Sequence, residues 1–395
     1  MYPEEAIPDS PGGGRTEEHE TIPVPVLPEM AQVKKSFDLK GLRMNRPANK
    51  TRPKSKGRSA HEASVSVLSM FAGCGGLDLG FVGGFKYMGK RYPKHGFRVV
   101  KAFDNDPKAV ETYEKNIGPE IELADLSSLA ASDMPSAELL IGGFPCQEFS
   151  SCGPQGGLRT ERGRLYLALV EYMQHHQPLV VVAENVINLE RMQNGAVLQR
   201  ILADLESAGC GYRFEVWRLF APDYGVPQFR HRLFLVGVRS DLPGHPEQPY
   251  AKFHDNHRTI NWAIADLESV EDESVPNQSQ YFLASKAKRG NGQGDETNRV
   301  GEPSYCIRAN PKSRVQFHYA LDRRLTVREC ARLQTFPDDF EFFHSTTANI
   351  SQIGNAVPPL LAHTVAQSVW QYISSHQLST FMATTKRSHS IIGSQ

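Results

Sequence analysis

From Val65 to Ala208 the chain alternates short β-type runs with helical ones, and this alternation restricts its fold more than any other feature. VSVLSM (65–70) and FRVVKAF (97–103) are rich in the β-branched and aromatic residues that favour strands. PKAVETYEKN (107–116) predicts a helix with proline in its first turn. Residues 121–123 and 139–141 give two further short strands, and residues 165–176 a helix. LVVVA (179–183) is the continuous apolar run expected of a strand buried on both faces, and residues 197–208 follow as another helix. Such an order predicts an α/β fold built on an open parallel sheet. Ligands of these sheets bind beyond the carboxyl ends of the strands. Gly73–Gly76, Asp104, Asp125, Cys146 and Glu184 each fall just past a predicted strand end, so one edge would collect the chemistry.

The flanks have a different texture. The first thirty residues are rich in Pro, Gly and Glu, and ten cations between Lys34 and Arg58 have almost no acidic company. A segment of this composition cannot bury enough apolar surface to fold alone. Residues 1–62 are therefore expected to be a disordered tail, either solubilising or a basic arm for a polyanion. Residues 63–240 would form the main domain. Residues 241–322 are polar, irregular and locally basic, with Lys286, Lys288, Arg289, Arg299, Arg308, Lys312 and Arg314 interleaved with aromatic residues. They predict a second, smaller domain. Helices at 326–334 and from Pro359 to Tyr372 would return to the main domain, before a flexible tail at 373–395.

Lysine plus arginine and aspartate plus glutamate each number 44, so no global basic signature argues for nucleic acid. Any polyanion site has to be local. Six cysteines, at 74, 146, 152, 210, 306 and 330, form no CxxC pair and no zinc-type cluster, so no metal is expected. No run is long enough to span a bilayer and no apolar leader opens the chain, which with unpaired cysteines points to a reducing cytoplasm.

FAGCGG (71–76) is a glycine-rich strand-to-helix turn of the kind that lets a cofactor approach the backbone. Asp104 is placed to accept hydrogen bonds from ribose hydroxyls, or to cap the helix at 107. Asp125 is placed for a purine amino group or, again, a cap. Without a full GxGxxG fingerprint, a nucleoside lacking pyrophosphate fits better than a dinucleotide. Cys146, in GGFPCQEFS (142–150), sits on a tight loop instead of inside an apolar run, either as a nucleophile or as an ordinary loop thiol. Glu184 closes the most apolar strand, where desolvation raises a carboxyl pKa and suits it to donating a proton, or where it serves as a cap or salt-bridge partner. In PQFRHRLFLVG (227–237), Gln228, Arg230 and Arg232 alternate, and on a strand they would share one face suited to a phosphate or a polar base edge.

FAGCGG, GGFPCQEFS, ENV (184–186), QFRHR (228–232), LTVRECARLQTFPDDF (325–340) and QIGNAVPP (352–359), in this order and spacing, together resemble the DNA (cytosine-5) methyltransferases. The resemblance covers about residues 64–240 and 323–372. It implies a Rossmann-like, S-adenosylmethionine-dependent sheet with a smaller irregular target-recognition domain, residues 241–322, inserted before the C-terminal helix. It further implies that Phe71, Gly73, Gly75 and Leu77 line the cofactor pocket, with Asp104 on the ribose, Asp125 near the adenine, and Asn355 and Val357 closing the pocket. Cys146 would attack C6 of a flipped cytosine, Glu184 would hold N3 and the exocyclic amine, Arg232 would contact O2, and Arg230 would buttress the site. Gln147, Ser150, Gln228 and Arg308 are the DNA contacts this reading implies.

Two positions depart from the family pattern: Ser69 and Thr160 stand where acidic residues are frequent. The implied partner is double-stranded DNA, with the chain acting as a monomeric bacterial modification enzyme beside a cognate restriction endonuclease. A transfer-RNA cytosine-5 methyltransferase shares most of these motifs, but its CFT segment is absent from this sequence. A catalytically idle DNA-binding regulator is a further alternative, against which the intact Cys146, Glu184 and Arg232 argue.

Overall fold

The computed structural model describes residues 64–145, 165–281, 296–310, 316–376 and 378. Cys146, Gln147, Ser150 and Thr160 lie outside them. In chain order the elements are β1 (Val65–Met70), α1 (Gly76–Val82), β2 (Lys86–Tyr87), β3 (Lys90–Arg91), β4 (Phe97–Asp104), α2 (Pro107–Asn116), β5 (Ile121–Leu123) and β6 (Leu139–Gly143). Next come α3 (Leu167–His176), β7 (Val180–Val186), α4 (Ala196–Glu206), β8 (Tyr212–Phe220), β9 (His231–Arg239) and α5 (Ile260–Ile264). The chain ends with β10 (Glu296–Thr297), β11 (Gln316–Phe317), α6 (Val327–Leu333), α7 (Thr346–Asn355) and α8 (Pro359–Ser375).

Among the described residues a seven-stranded sheet runs in the order β5-β4-β1-β6-β7-β9-β8. The first five are parallel, but β9 is antiparallel to both β7 and β8. The sheet is thus parallel as expected except at the edge formed by β9 and β8. The reason is local: β8 and β9 are joined by a short turn segment, which can only reverse the chain, whereas parallel neighbours need a crossover.

Strand alternation assigns side chains to two faces. Val65 and Val67 of β1, Val180 and Val182 of β7, and Phe234, Val236 and Val238 of β9 pack with α1 and α8 in one apolar core. Leu68 and Met70, Val181 and Ala183, and Leu233 and Leu235 pack with α3 and α4 in a second. Strands apolar on both faces are what a sheet covered on both sides demands. A third core joins α5, α6 and α7 through Ile260, Ile264, Val327, Leu333, Phe336 and Ile353. α8 lies along α1 in the first core, and the third core also takes in Cys74 from the loop between β1 and α1.

The close contact of α1 and α8 depends on Gly80. A Cβ there would lie 2.7 Å from His363 N and from the Pro359 carbonyl. α6 is fixed at its start by a capping box, with Thr326 accepting from Glu329 N–H and the Glu329 carboxylate accepting from Thr326 N–H. No helix among the described residues is long and apolar enough to cross a membrane.

Candidate active site

The glycine loop connects β1 to α1. Phe71, Gly73 and Gly75 all have positive φ, at 55°, 56° and 92°. Positive φ costs glycine little but strains Phe71. Gly73 N–H donates to Asp104 Oδ2 at 2.8 Å, and Asp106 N–H donates to Asp104 Oδ1 at 2.9 Å. Asp104, the last residue of β4, therefore ties the loop to the neighbouring strand. Burial pushes its carboxyl pKa up, and the two backbone donors pull the other way. The cap of α2 is Asp106, which accepts from Lys108 N–H, so capping does not account for Asp104.

A Cβ on Gly73 would meet nothing within 4 Å, beside a carboxylate with lone pairs to spare. An open backbone next to an acidic acceptor fits the ribose end of a nucleoside cofactor. Asp125 is exposed and accepts from Ser127 N–H and Oγ through Oδ1, which holds its pKa below the usual carboxylate range.

Behind the loop lies a buried group that sequence reasoning missed. Asp78 accepts from Ser69 Oγ at 2.9 Å and from the Tyr113 hydroxyl at 3.0 Å. Burial raises its carboxyl pKa to about 6. The serine at 69 is thus a donor to an acid supplied from the facing helix. The spacing of Ser69 and Asp78 carries no signal that could have announced the pair. Gly75 packs flat against this group, and an added Cβ would stand 2.8 Å from the Tyr113 ring.

Not all the residues expected to line the cofactor pocket share one environment. Leu77 and Val357 are both 5% exposed and belong to the core between the sheet and the α1/α8 layer. The Leu77 side chain is a packing residue of that core. The Val357 carbonyl abuts Gly76, where any Cβ would overlap it. Asn355 is exposed at the last residue of α7.

At the reactive end, Glu184 was expected just past its strand. It lies inside β7, which continues to Val186 by pairing with β9. Arg232 sits two positions from the register partner of Glu184 and on the same face. Arg232 Nε meets Glu184 Oε1 at 2.7 Å, with both side chains nearly buried. Burial raises the Glu184 pKa, and the Arg232 and Arg230 charges oppose that shift. Glu184 Oε2 has no hydrogen-bond partner among the described residues and faces Gly143, whose missing side chain leaves it room. Gly143 is also the β6 register partner of Glu184, three residues before Cys146. Asn185, another residue unassigned from sequence, donates through Nδ2 to the Phe144 carbonyl at 3.2 Å and so pins the start of the cysteine segment.

The expectation that Gln228, Arg230 and Arg232 share a strand face is corrected. β9 begins at His231, and only Arg232 of the three lies on it. Gln228 is fully buried: its Nε2 donates to Leu333 O at 3.1 Å and Gln334 Oε1 at 2.6 Å, and its Oε1 accepts from Ile307 N–H. With its amide saturated inside the protein, Gln228 cannot be a DNA contact. Arg230 is 1% exposed and donates to the carbonyls of Ile307, Gly354 and Ala356 at 2.9–3.1 Å. Burial among neutral acceptors brings its pKa down to about 10. It also donates to Cys306 Sγ at 3.5 Å, and with all these partners inside the protein its part is structural support rather than contact with a reacting base. Arg308 is half-buried, with its backbone packed on Gly354.

Comparison with known proteins agrees with this geometry. The family described as C-5 cytosine-specific DNA methylase matches residues 65–371. The chain is 34% identical over 344 residues to the type II methyltransferase M.NgoFVII of Neisseria gonorrhoeae, covering 78% of this chain and 87% of that protein. It is 33% identical to M.MthTI of Methanothermobacter thermautotrophicus, covering 78% and 97%. Among solved structures, the S. pombe Dnmt2 methyltransferase superposes with a TM-score of 0.56 at 21% identity, over 79% of this chain and 99% of that one, a likeness of fold. The chain belongs to the C-5 cytosine-specific DNA methylases, enzymes that use S-adenosylmethionine to methylate C5 of cytosine in DNA.

Proposed function

We propose that this enzyme methylates one cytosine within a short, specific double-stranded sequence, and that this mark protects DNA from a cognate restriction endonuclease. Residues 241–322 would supply sequence recognition, with Arg308 among their DNA contacts, and Gln147 and Ser150 would contact DNA beside the nucleophile. The named type II methyltransferases among its relatives support the restriction–modification role. The observation that carries the mechanism is the Glu184–Arg232 pair, set on the strand beside the segment that leads into Cys146.

The target base has to leave the stack, at a cost of about a few kcal/mol. The Cys146 thiolate then adds to C6, forming an S–C bond and breaking the ring's aromaticity. Glu184, in its protonated form, gives its proton to N3, so that C5 becomes enamine-like. Arg232 holds Glu184 in place. Gly73, Asp104 and Asp125 would hold S-adenosylmethionine, which when bound supplies the electrophilic methyl group that C5 accepts. Loss of the C5 proton then restores the C5–C6 double bond and expels the thiolate, and N3 returns its proton to Glu184.

The test is to incubate the full chain with S-adenosylmethionine and unmethylated genomic DNA and to map 5-methylcytosine base by base. Methylation confined to one short motif, absent with Cys146→Ser, is the expected result. Methylation without motif preference, or of transfer RNA alone, would overturn it.

A further inference from the structure

Beside the Glu184–Arg232 pair stands an aromatic cluster that the chemistry above does not use. Phe220, the last residue of β8, is the register partner of His231, the first of β9. Their rings stack with centroids 4.3 Å apart and planes 26° from parallel. Phe229 lies parallel to Phe220 at 6.2 Å, and His257 meets the Phe220 ring edge-on at 5.7 Å. The imidazole of His231 is therefore held in place by its neighbours, yet the residue is exposed. Its ring nitrogens make no hydrogen bond to a described residue.

The charges around it are few and mostly positive. Arg232 follows it on β9, and Arg191 approaches from the segment after β7. The carboxylate of Asp223 also acts on it, but Asp223 is already engaged by His257 Nε2 at 2.7 Å and His254 Nδ1 at 3.3 Å. Glu190, next to Arg191, is paired with Arg218. The edge of the sheet that carries the base-binding pair thus offers an ordered, exposed imidazole on the opposite face from the Glu184-bound Arg232, with the Arg191 charge acting on it. A cation and a donor ring, with the nearby acids occupied, suit a phosphate oxygen.

We propose that His231 contacts a DNA phosphate near the target cytosine and that the contact strengthens when the imidazole is protonated. The inference rests on the chain's being a DNA methylase and adds a pH-dependent grip on the substrate. In the free protein, burial and the Arg232 charge hold His231 below the usual imidazole range, with Asp223 pulling the other way. It is therefore neutral at pH 7, and a phosphate beside it raises its pKa again. Binding then takes up a proton, and affinity falls as the pH rises through the value in the complex.

The test is equilibrium binding of the full chain to a short unmethylated duplex, across a salt series at about pH 5.5 and about pH 8. Wild type should bind several-fold tighter at the lower pH, with a salt dependence steeper by about one unit in log–log slope. His231→Gln should lose both differences. His231→Lys should keep the steeper slope at both pH values. His231→Phe, which retains the ring on Phe220, should behave as His231→Gln. Equal slopes for wild type at the two pH values, a pH difference that survives in His231→Gln, or wild-type behaviour in His231→Phe would each overturn the proposal. Binding with equal slopes would leave the methylase reading intact, whereas no binding at either pH would contradict both.

Discussion

At the scale of single residues, the two buried carboxyl groups make separate predictions. Glu184 has to be protonated to serve N3; burial raises its pKa toward that form, while the Arg232 and Arg230 charges oppose the shift. The acid form is lost as the pH rises through its folded-state value, so kcat/KM should decline on the alkaline side. Glu184→Gln, which cannot donate a carboxyl proton, should lower kcat by about a hundredfold or more and remove that limb. A pH–rate profile of both proteins checks this. Asp78 serves stability instead. Its folded pKa, about 6, stands above the ordinary 3.8, so the native state holds a proton that the unfolded chain releases. Its contribution is complete below pH 4 and is lost as the pH rises to about 6, an effect on the order of 3 kcal/mol. Urea unfolding of wild type and Asp78→Asn over that window should show the difference between them shrink by that amount, with the wild type losing more.

At the scale of elements, glycines decide how closely layers approach. Gly80→Ala would gain helix propensity of about 1 kcal/mol in isolation. Its Cβ would instead collide with α8, and overpacking costs about 1–3 kcal/mol, so net destabilisation by thermal or urea unfolding is expected. Elements of this kind also show how far the sequence could be read. β1, α2 and β5 appear at the residues their patterns predict, because β1 is a compact β-type run buried at nearly every position and proline marks the start of α2. β8 was invisible: YRFEVWRLF mixes charged and apolar residues, since it is an edge strand whose exposed Arg213, Glu215 and Arg218 fall on both faces. The start of β9 was misjudged because alternating Gln228, Arg230 and Arg232 imitate a strand face. Two of them are fixed by tertiary hydrogen bonds to segments about 77 to 126 residues away, which no local pattern encodes. The glycine loop and Asp104 were legible at strand ends because those are local features, whereas pairing with β9 carries β7 past Glu184 to Val186. The Ser69–Asp78–Tyr113 cluster was not, because its members meet only once the strand and two helices pack.

For the whole molecule, Gln228 and Arg230 join the sheet's edge to the third core. Arg230 satisfies three backbone carbonyls, and Gln228 links Ile307 to the end of α6. Arg230→Ala would leave those buried acceptors unpaired, and the fold should lose about 3 kcal/mol or more. Arg230→Lys should recover little, since one ammonium cannot reproduce the planar fork. Denaturant unfolding with cofactor absent checks this without reference to activity. That clamp also holds the segment bearing Arg232, so global stability and the geometry of the Glu184 pair depend on the same buried contacts.

The most direct measurement of the central claim is covalent trapping. The full chain, with S-adenosylmethionine, is offered a duplex in which the target cytosine carries fluorine at C5, which cannot leave as a proton does. A denaturation-resistant protein–DNA adduct should form, peptide mapping should locate it at Cys146, and Glu184→Gln should form it far more slowly. An adduct at another residue, or turnover of the normal duplex with no adduct on the fluorinated one, would contradict the assignment of Cys146 and Glu184.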